Sequence, residues 1–286
     1  MKALKWILGT LGVLILLVVV FALFMMNKGN SRFEQTWSPN VEMVSISDDS
    51  ASVALGKFIA ESHGCQGCHA PDYSGSIFAD APPFLAVAPN LTAGTGGVGA
   101  TYSDEDWVRA IRHGVNPDGR GLMIMPSEAY YYLNDEEMGA LVSYLKTLEP
   151  VDNELPPLQM RPLGKLIMGM DTAMSPAPGL MPDRERIAEA ERGPTAEWGH
   201  YRASVMCMVC HGGNLQGMQP PDPASPFAPD LRVVAGWGMD GFMEFFRTGT
   251  NPSGRASDKD YMPWDKFAHL GEDELTALYK YLETID

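Results

Sequence analysis

The amino-acid sequence predicts a mainly α-helical protein, two tandem copies of one small helical domain behind a single N-terminal membrane-spanning helix. Three observations carry that expectation. An uncharged run of 21 residues, Trp6 to Met26, lies near the start of the chain. Six short landmarks then recur in one order in the two halves of the remaining chain. Within each half, apolar residues return at the three-to-four spacing of a helix rather than the two-residue spacing of a strand. At 286 residues the chain has room for two domains of ordinary size with accessory segments. Its 22 Pro and 29 Gly predict short helices joined by many turns and extended links.

As a helix, Trp6 to Met26 would be roughly 32 Å long, enough for the hydrocarbon core of a bilayer. Val20-Phe21-Ala22 also makes a passable small-residue cleavage site, the mark of a secretory signal. The apolar run continues past it through Leu23, Phe24, Met25 and Met26, which favours an uncleaved anchor, residues 1–27, seated in lipid through residues 6–26. Lys2 and Lys5 precede the span and Lys28 and Arg32 come after it, so flanking charge alone gives little orientation. Residues 28–50 are polar and without period, and are expected to be a tether. The formal net charge of −15 argues against nucleic acid as a partner.

All four cysteines fall into two runs, Gly64-Cys65-Gln66-Gly67-Cys68-His69 and Val205-Met206-Cys207-Met208-Val209-Cys210-His211. Each is Cys-x-x-Cys-His, the pattern of c-type haem attachment. Two thiols three apart on one helical turn can each bond a vinyl-derived carbon of a porphyrin, and the adjacent His then aims its imidazole at the iron. A Cys-x-x-Cys pair alone would also suit a thioredoxin-like redox site or half of a zinc site. Here His stands directly after both runs, neither run sits in a βαβ pattern, and no cysteine is left for a disulfide or a nucleophile. Two covalently attached haem c groups are therefore expected. Such haem is attached outside the cytoplasmic membrane, so everything after the span should face the periplasm or the outer surface of a single-pass inner-membrane protein.

The first domain is expected over 51–149. Ser52 to Gly64 reads as a helix entering the first cysteine run, with Val53, Phe58 and Ile59 on its buried side. Asp104 to His113 reads as a second helix, with Trp107, Ala110 and Ile111 on one face and Gly114 as its stop, and then an Asn116-Pro117-Asp118-Gly119 turn. The last helix begins near Asn134, an N-cap with Glu137 three residues on, and carries Met138, Leu141, Val142, Leu145 and Leu148. Residues 150–193 hold seven prolines and are expected to be an extended connector whose apolar stretch, Leu163 to Met170, covers a domain surface. The second domain is expected over 194–286. After its cysteine run, Ala228-Pro229-Asp230-Leu231 repeats Ala88-Pro89-Asn90-Leu91, and Gly249 to Arg255 repeats Gly114 to Arg120. Met262-Pro263 repeats Met125-Pro126, and His269-Leu270 through Tyr281-Leu282 repeats Tyr132-Leu133 through Tyr144-Leu145. Phe242, Phe245 and Phe246, then Leu275, Leu278, Tyr279 and Leu282, supply its apolar faces.

With these residues in view, the chain resembles a dihaem member of the class I cytochrome c superfamily over about 50–150 and 193–286. The run Ala88-Pro89-Asn90-Leu91-Thr92, then Ser103 to Arg112 and the Asn-Pro-Asp-Gly-Arg turn, is similar to the cytochrome c subunits of membrane-bound alcohol and sugar dehydrogenases. Those subunits usually carry three haem motifs, where this chain has two. The resemblance implies that a downstream Met, often with Pro after it, is the sixth iron ligand. Met125 and Met262 are the matching positions, with Met123 the chief rival in the first copy and Met239 and Met243 lesser rivals in the second. It also implies that the carbonyls of Pro89 and Pro229 accept a hydrogen bond from the proximal imidazoles, fixing each ring; a plain turn proline is the alternative. Arg120 and Arg255 either pair with haem propionates or cap the preceding helix. Of the six histidines, His69 and His211 are the expected iron ligands, and His63 and His113 are the ones to examine should a site have two His ligands.

The function implied is transfer of electrons between a membrane redox complex and a high-potential acceptor, without a catalytic residue of the chain's own. The partners expected are a dehydrogenase, a quinol-oxidising complex, an oxidase or a photosynthetic acceptor. The competing reading is a dihaem peroxidase-like enzyme with one haem site kept open, against which stands a Met-Pro pair in both copies. A haem-based sensor is a third reading, but no output domain comes after either copy.

Overall fold

The computed structural model describes residues 2–171, 174–181, 190–219, 225–268 and 270–285; His269 lies outside them. Helix α1, Lys2–Phe33, carries the uncharged run and is long and apolar enough to cross a membrane. It continues seven residues past Met26, so the segment expected to be a tether starts as helix. The first copy comes next as α2 (Ser50–Ser62), α3 (Cys65–His69), strands β1 (Ser76–Ala81) and β2 (Phe84–Ala88), α4 (Asp104–His113), α5 (Ser127–Tyr130) and α6 (Asp135–Lys146). Between the prolines of the connector lie β3 (Gln159–Met160), α7 (Pro162–Met170) and a 3-10 turn, Ala177–Leu180. The second copy is α8 (Ala196–Met206), α9 (Met208–His211), a 3-10 stretch Leu231–Trp237, α10 (Gly238–Thr248), α11 (Trp264–Phe267) and α12 (Glu272–Leu282). The architecture is thus mainly helical, with the two repeats in the order the landmarks predict.

The chain gathers into two compact units whose limits cross those repeats. One unit holds α1, residues Cys68–Ser127 and the connector through α7; the other holds Met43–Gly67, Glu128–Thr147 and the second copy.

In the first unit, β1 pairs antiparallel with β2, and β2 with β3, in the order β1-β2-β3. Arg161 secures the connector to this sheet by donating to the Ala81 carbonyl and pairing with Asp80 at 2.7 Å. A second tie lies upstream, where Asn90 Nδ2 and Thr92 Oγ1 both donate to the carbonyl of Val151. Helix α4 opens on a capping box, with Ser103 and Asp106 each satisfying the other's backbone N–H. It stops at Gly114, φ 64°, a left-handed conformation that disfavours a side chain. Trp107, Ala110 and Ile111 are buried, as expected, and Val108 is buried with them.

The second unit is organised by two crossings of the same kind. Gly56 of α2 lies so close to α6 that a Cβ there would be 1.9 Å from the Ala140 carbonyl oxygen. Gly199 of α8 meets the Ala277 oxygen of α12 at the same 1.9 Å. In each case a tyrosine Cβ, that of Tyr144 or Tyr281, closes the other side at 2.8 Å. Backbone-to-backbone contact lets Ile59, Met138, Leu141 and Leu145 in one pair, and Leu275, Leu278 and Leu282 in the other, sink out of water. Each such side chain contributes roughly 1.5–3 kcal/mol.

Helix α6 departs from the expected start. Asn134 accepts from the Glu137 N–H, but the Glu137 carboxylate does not turn back to the cap. It is buried, and accepts a hydrogen bond from the Tyr201 hydroxyl on one oxygen and from the Arg202 guanidinium on the other. Arg202 also faces Glu274 at 2.8 Å and stacks on Trp198 at 5.7 Å. Glu137 and Glu274 occupy the same position in the last helices of the two copies.

Candidate haem-binding sites

Each cysteine run lies on one short turn of helix that continues from a packed one. In the first copy, Gly64 at φ 70° turns the chain out of α2 so that α3 can begin. In the second, Cys207 itself ends α8 and starts α9. From there the two copies coincide bond for bond. The residue after the histidine, Ala70 or Gly212, is left-handed at φ 66° or 84°. Tyr73 and Leu215 come next at φ 60° and 59°, and Gly75 and Gly217 at 82° and 86°. Gly75 N–H returns to the His69 carbonyl and Gly217 N–H to the His211 carbonyl, both at 2.9 Å. Leu91 N–H then reaches the Tyr73 carbonyl and Leu231 N–H the Leu215 carbonyl, again both at 2.9 Å.

That turn sets the proline loop over the imidazole. His69 Nδ1 donates to the Pro89 carbonyl at 2.8 Å, and His211 Nδ1 to the Pro229 carbonyl at 2.7 Å. Each ring is thereby held in one orientation with Nε2 as the remaining nitrogen, the arrangement of a metal-ligating histidine. Burial pulls both imidazoles below their ordinary pKa, the proline carbonyl opposing it, so the neutral form that a ligand needs is favoured.

The cysteines suit thioether attachment better than thiolate chemistry. Burial raises the thiols of Cys68 and Cys210 and pushes Cys207 up to about 12, with the nearby Cys210 adding to it and Arg202 opposing. A redox pair or a zinc site needs the opposite shift. Among the described residues, no three His, Cys, Asp or Glu side chains converge on a metal position. Paired thiols beside a fixed imidazole fit covalent haem in both copies.

The methionines also fall in equivalent places. Met125 and Met262 are half-buried, precede a proline, and accept at their carbonyls from Ser127 N–H and Trp264 N–H at 2.8 and 2.7 Å as the next short helix starts. Met123 lies on the same loop and is also half-buried, whereas Met243 is buried on α10 among Phe242, Phe245 and Phe246. The turns carrying the arginines match as well, with Arg120 N–H and Arg255 N–H on the Asn116 and Asn251 side-chain oxygens. Their side chains differ. Arg120 is paired with Glu34, so a propionate there would compete with a carboxylate, while Arg255 is exposed.

His63, at the end of α2, has its Nδ1 on the Ile59 carbonyl at 2.9 Å and its ring against Tyr130, whose hydroxyl donates to the His63 carbonyl. Burial pulls its pKa to about 4; Glu137 opposes that shift and Arg202 reinforces it. The Glu137–Arg202–Glu274 cluster escapes a reading of the sequence because a glutamate three residues after an N-cap already has a local explanation. Recurrence of that glutamate at the same place in both copies is the signal that could have found it.

The cytochrome c family model matches residues 53–149 and 201–286. The gluconate 2-dehydrogenase cytochrome c subunit of Pantoea cypripedii is 28% identical, over 86% of this chain and 63% of that protein. The cytochrome c subunit of the quinone-dependent alcohol dehydrogenase of Gluconacetobacter polyoxogenes is 29% identical, over 83% and 56%. The fructose dehydrogenase cytochrome subunit of Gluconobacter japonicus is 32% identical over 38% of this chain and 24% of that protein. The alignments therefore span about half to two thirds of the length of the first two relatives.

Proposed function

The chain belongs to the cytochrome c family, and from that premise we propose that it is a membrane-anchored dihaem carrier passing electrons from a membrane redox complex to a high-potential acceptor. The observation that carries the reading is the doubled ligand geometry, a proximal His on a proline carbonyl and a Met-Pro turn at matched places in both copies. When bound, haem c supplies one-electron exchange between ferric and ferrous iron. The residues do the rest. Cys65 and Cys68, and Cys207 and Cys210, would hold the macrocycle, and the iron ligands would be His69 and Met125 in the first copy and His211 and Met262 in the second. A thioether ligand favours ferrous iron, and filling the sixth position leaves nowhere for oxygen or peroxide. Arg255, exposed, would be free to pair with a propionate, whereas Arg120 would serve only on release from Glu34.

Residues 6–26 are read as a single bilayer span, with the haem domains on the periplasmic or outer face of the cytoplasmic membrane. The names of the relatives favour a dehydrogenase as electron donor; its seat in the membrane, a quinol-oxidising complex as donor, and an oxidase or photosynthetic centre as acceptor rest on the carrier design alone. An acidic chain should meet a basic partner face, and such steering speeds encounter.

The test combines ligand binding with electron exchange. Carbon monoxide and peroxide should bind the native protein slowly, Met125→Ala and Met262→Ala should each open one site, and reduction by a dehydrogenase should slow as salt rises. Rapid peroxide binding by the native protein, with turnover and no electron exchange, would favour the peroxidase-like enzyme instead.

A further inference from the structure

Helix α7 lies along the end of α1 in reverse direction. A Cβ on Gly29 would be 1.9 Å from the Lys165 carbonyl oxygen, and one on Gly169 would be 1.9 Å from that of Met25. Residue numbers rise along one helix as they fall along the other, so α7 descends toward the bilayer end of α1. Its last turn, Gly169 and Met170, stands level with Met25, inside the uncharged run. Arg32 fastens the end by donating to the carbonyls of Met168 and Asp171. Small residues that let two backbones touch are the usual means of helix association in lipid.

The side chains of α7 are distributed the wrong way round for a water-facing helix. Gly164, Met168 and Gly169 are buried toward the protein. Leu163, Leu166, Ile167 and Met170 recur at the i, i+3, i+4, i+7 spacing of a single face. That face points outward, with Leu163 44% and Met170 63% exposed and the two between them half-buried. A surface helix ordinarily turns such a stripe to the core. Lys28 of α1 and Lys165 of α7 lie on the headgroup side of Met25, where cations favour an anionic lipid surface, while the Arg32 guanidinium is taken by the end of α7.

We infer that α7 is a second membrane-seated element, laying Leu163, Leu166, Ile167 and Met170 into the boundary between headgroups and acyl chains beside the end of α1. The occupant of the stripe is phospholipid, because its Met170 end stands level with the span at Met25 and the stripe rises from there through Ile167 and Leu166 to Leu163, level with the cations that flank the span. This inference rests on α1 being a bilayer anchor.

The test uses the full-length holoprotein in vesicles of phosphatidylcholine and phosphatidylglycerol. With the native cysteines committed to haem, Leu163→Cys and Met170→Cys can be labelled singly with an environment-sensitive fluorophore. Val18→Cys serves as a control inside the span and Ser253→Cys as one in water. Probes at 163 and 170 should be quenched by lipid carrying a nitroxide near its headgroup, and should resist aqueous iodide several-fold better than the probe at 253. If the probe at 18 is in lipid while those at 163 and 170 remain open to iodide, or become shielded only when a partner protein is added, the membrane seat is refuted and the anchor stands. If the probe at 18 is itself open to iodide, the anchor reading fails and takes this inference with it.

Discussion

Removing the guanidinium of Arg202 should be among the most damaging single changes in this chain. Arg202 is 3% exposed and Glu137 1% exposed, so neither charge can turn to water. Arg202→Met would leave the Glu137 carboxylate in the interior with the Tyr201 hydroxyl as its remaining charge-stabilising side chain. Breaking a buried pair from one side costs about 3–5 kcal/mol, most of it the penalty of the stranded charge. The Glu274 contact adds less, since its carboxylate is 25% exposed and its 2.8 Å approach to Nε lacks hydrogen-bond alignment. Exchanging both members for apolar groups removes the stranded charge, so Arg202→Met with Glu137→Leu should recover much of the loss. Guanidinium unfolding of the holoprotein, tracked by far-ultraviolet circular dichroism for the two single variants and the double, reads the cycle. A loss below about 1 kcal/mol for Arg202→Met, or a double variant no better than that single one, would refute the reasoning.

Gly56→Ala and Gly199→Ala should each destabilise by about 1–3 kcal/mol, because the new methyl meets a carbonyl and the helices must part; an unchanged or higher melting temperature, the usual result at an open helical glycine, would sink this. His63 gives a pH dependence whose sign comes from its lowered pKa. Above pH 6.5 it is neutral folded or unfolded, and as pH falls toward 4 the unfolded chain takes the proton first, so stability drops by up to about 3 kcal/mol. His63→Phe should flatten that part of the stability curve, and an identical pH profile for variant and wild type would count against it. Arg202 acts on Cys207, five residues along the same helix path, from within a cluster of two carboxylates and one guanidinium. Glu274→Gln should therefore raise the potential of the second haem in a spectroelectrochemical titration, and a fall would reverse the assignment.

Legible in advance was the chemistry that spaces residues rigidly along the chain. Two thiols and an imidazole must share one turn, and a helix must end on a left-handed glycine, so Cys65 to His69 and Gly114 could be read from spacing; the place of Pro89 came only through the family resemblance. The apolar faces of α4, α6, α10 and α12 were legible for the same reason, since periodicity is local. The sheet was not. Its outer strand is two residues, Gln159 and Met160, in a proline-rich stretch, and its pairing to Phe84 and Leu85 spans some seventy residues of sequence. Nor was the role of Arg202, which lies on a helix without an amphipathic pattern and finds its partner 65 positions away. Long-range pairings of that kind leave no mark on composition.

The acceptor for each imidazole proton is main chain, and this has a genetic consequence. A carboxylate in that place could be lost by one base change and would titrate, carrying the electron density on the ring with it. The carbonyls of Pro89 and Pro229 do neither. Proline has no N–H of its own to draw the segment into a competing ladder, which leaves its carbonyl free to point at the ring. Substitution at these sites can loosen the loop but cannot delete the acceptor. On the proposed ligation, variation among descendants of this chain should thus retune the irons through Met125, Met262 and the charges around Arg202, while the contribution of His69 and His211 drifts little with either sequence or acidity.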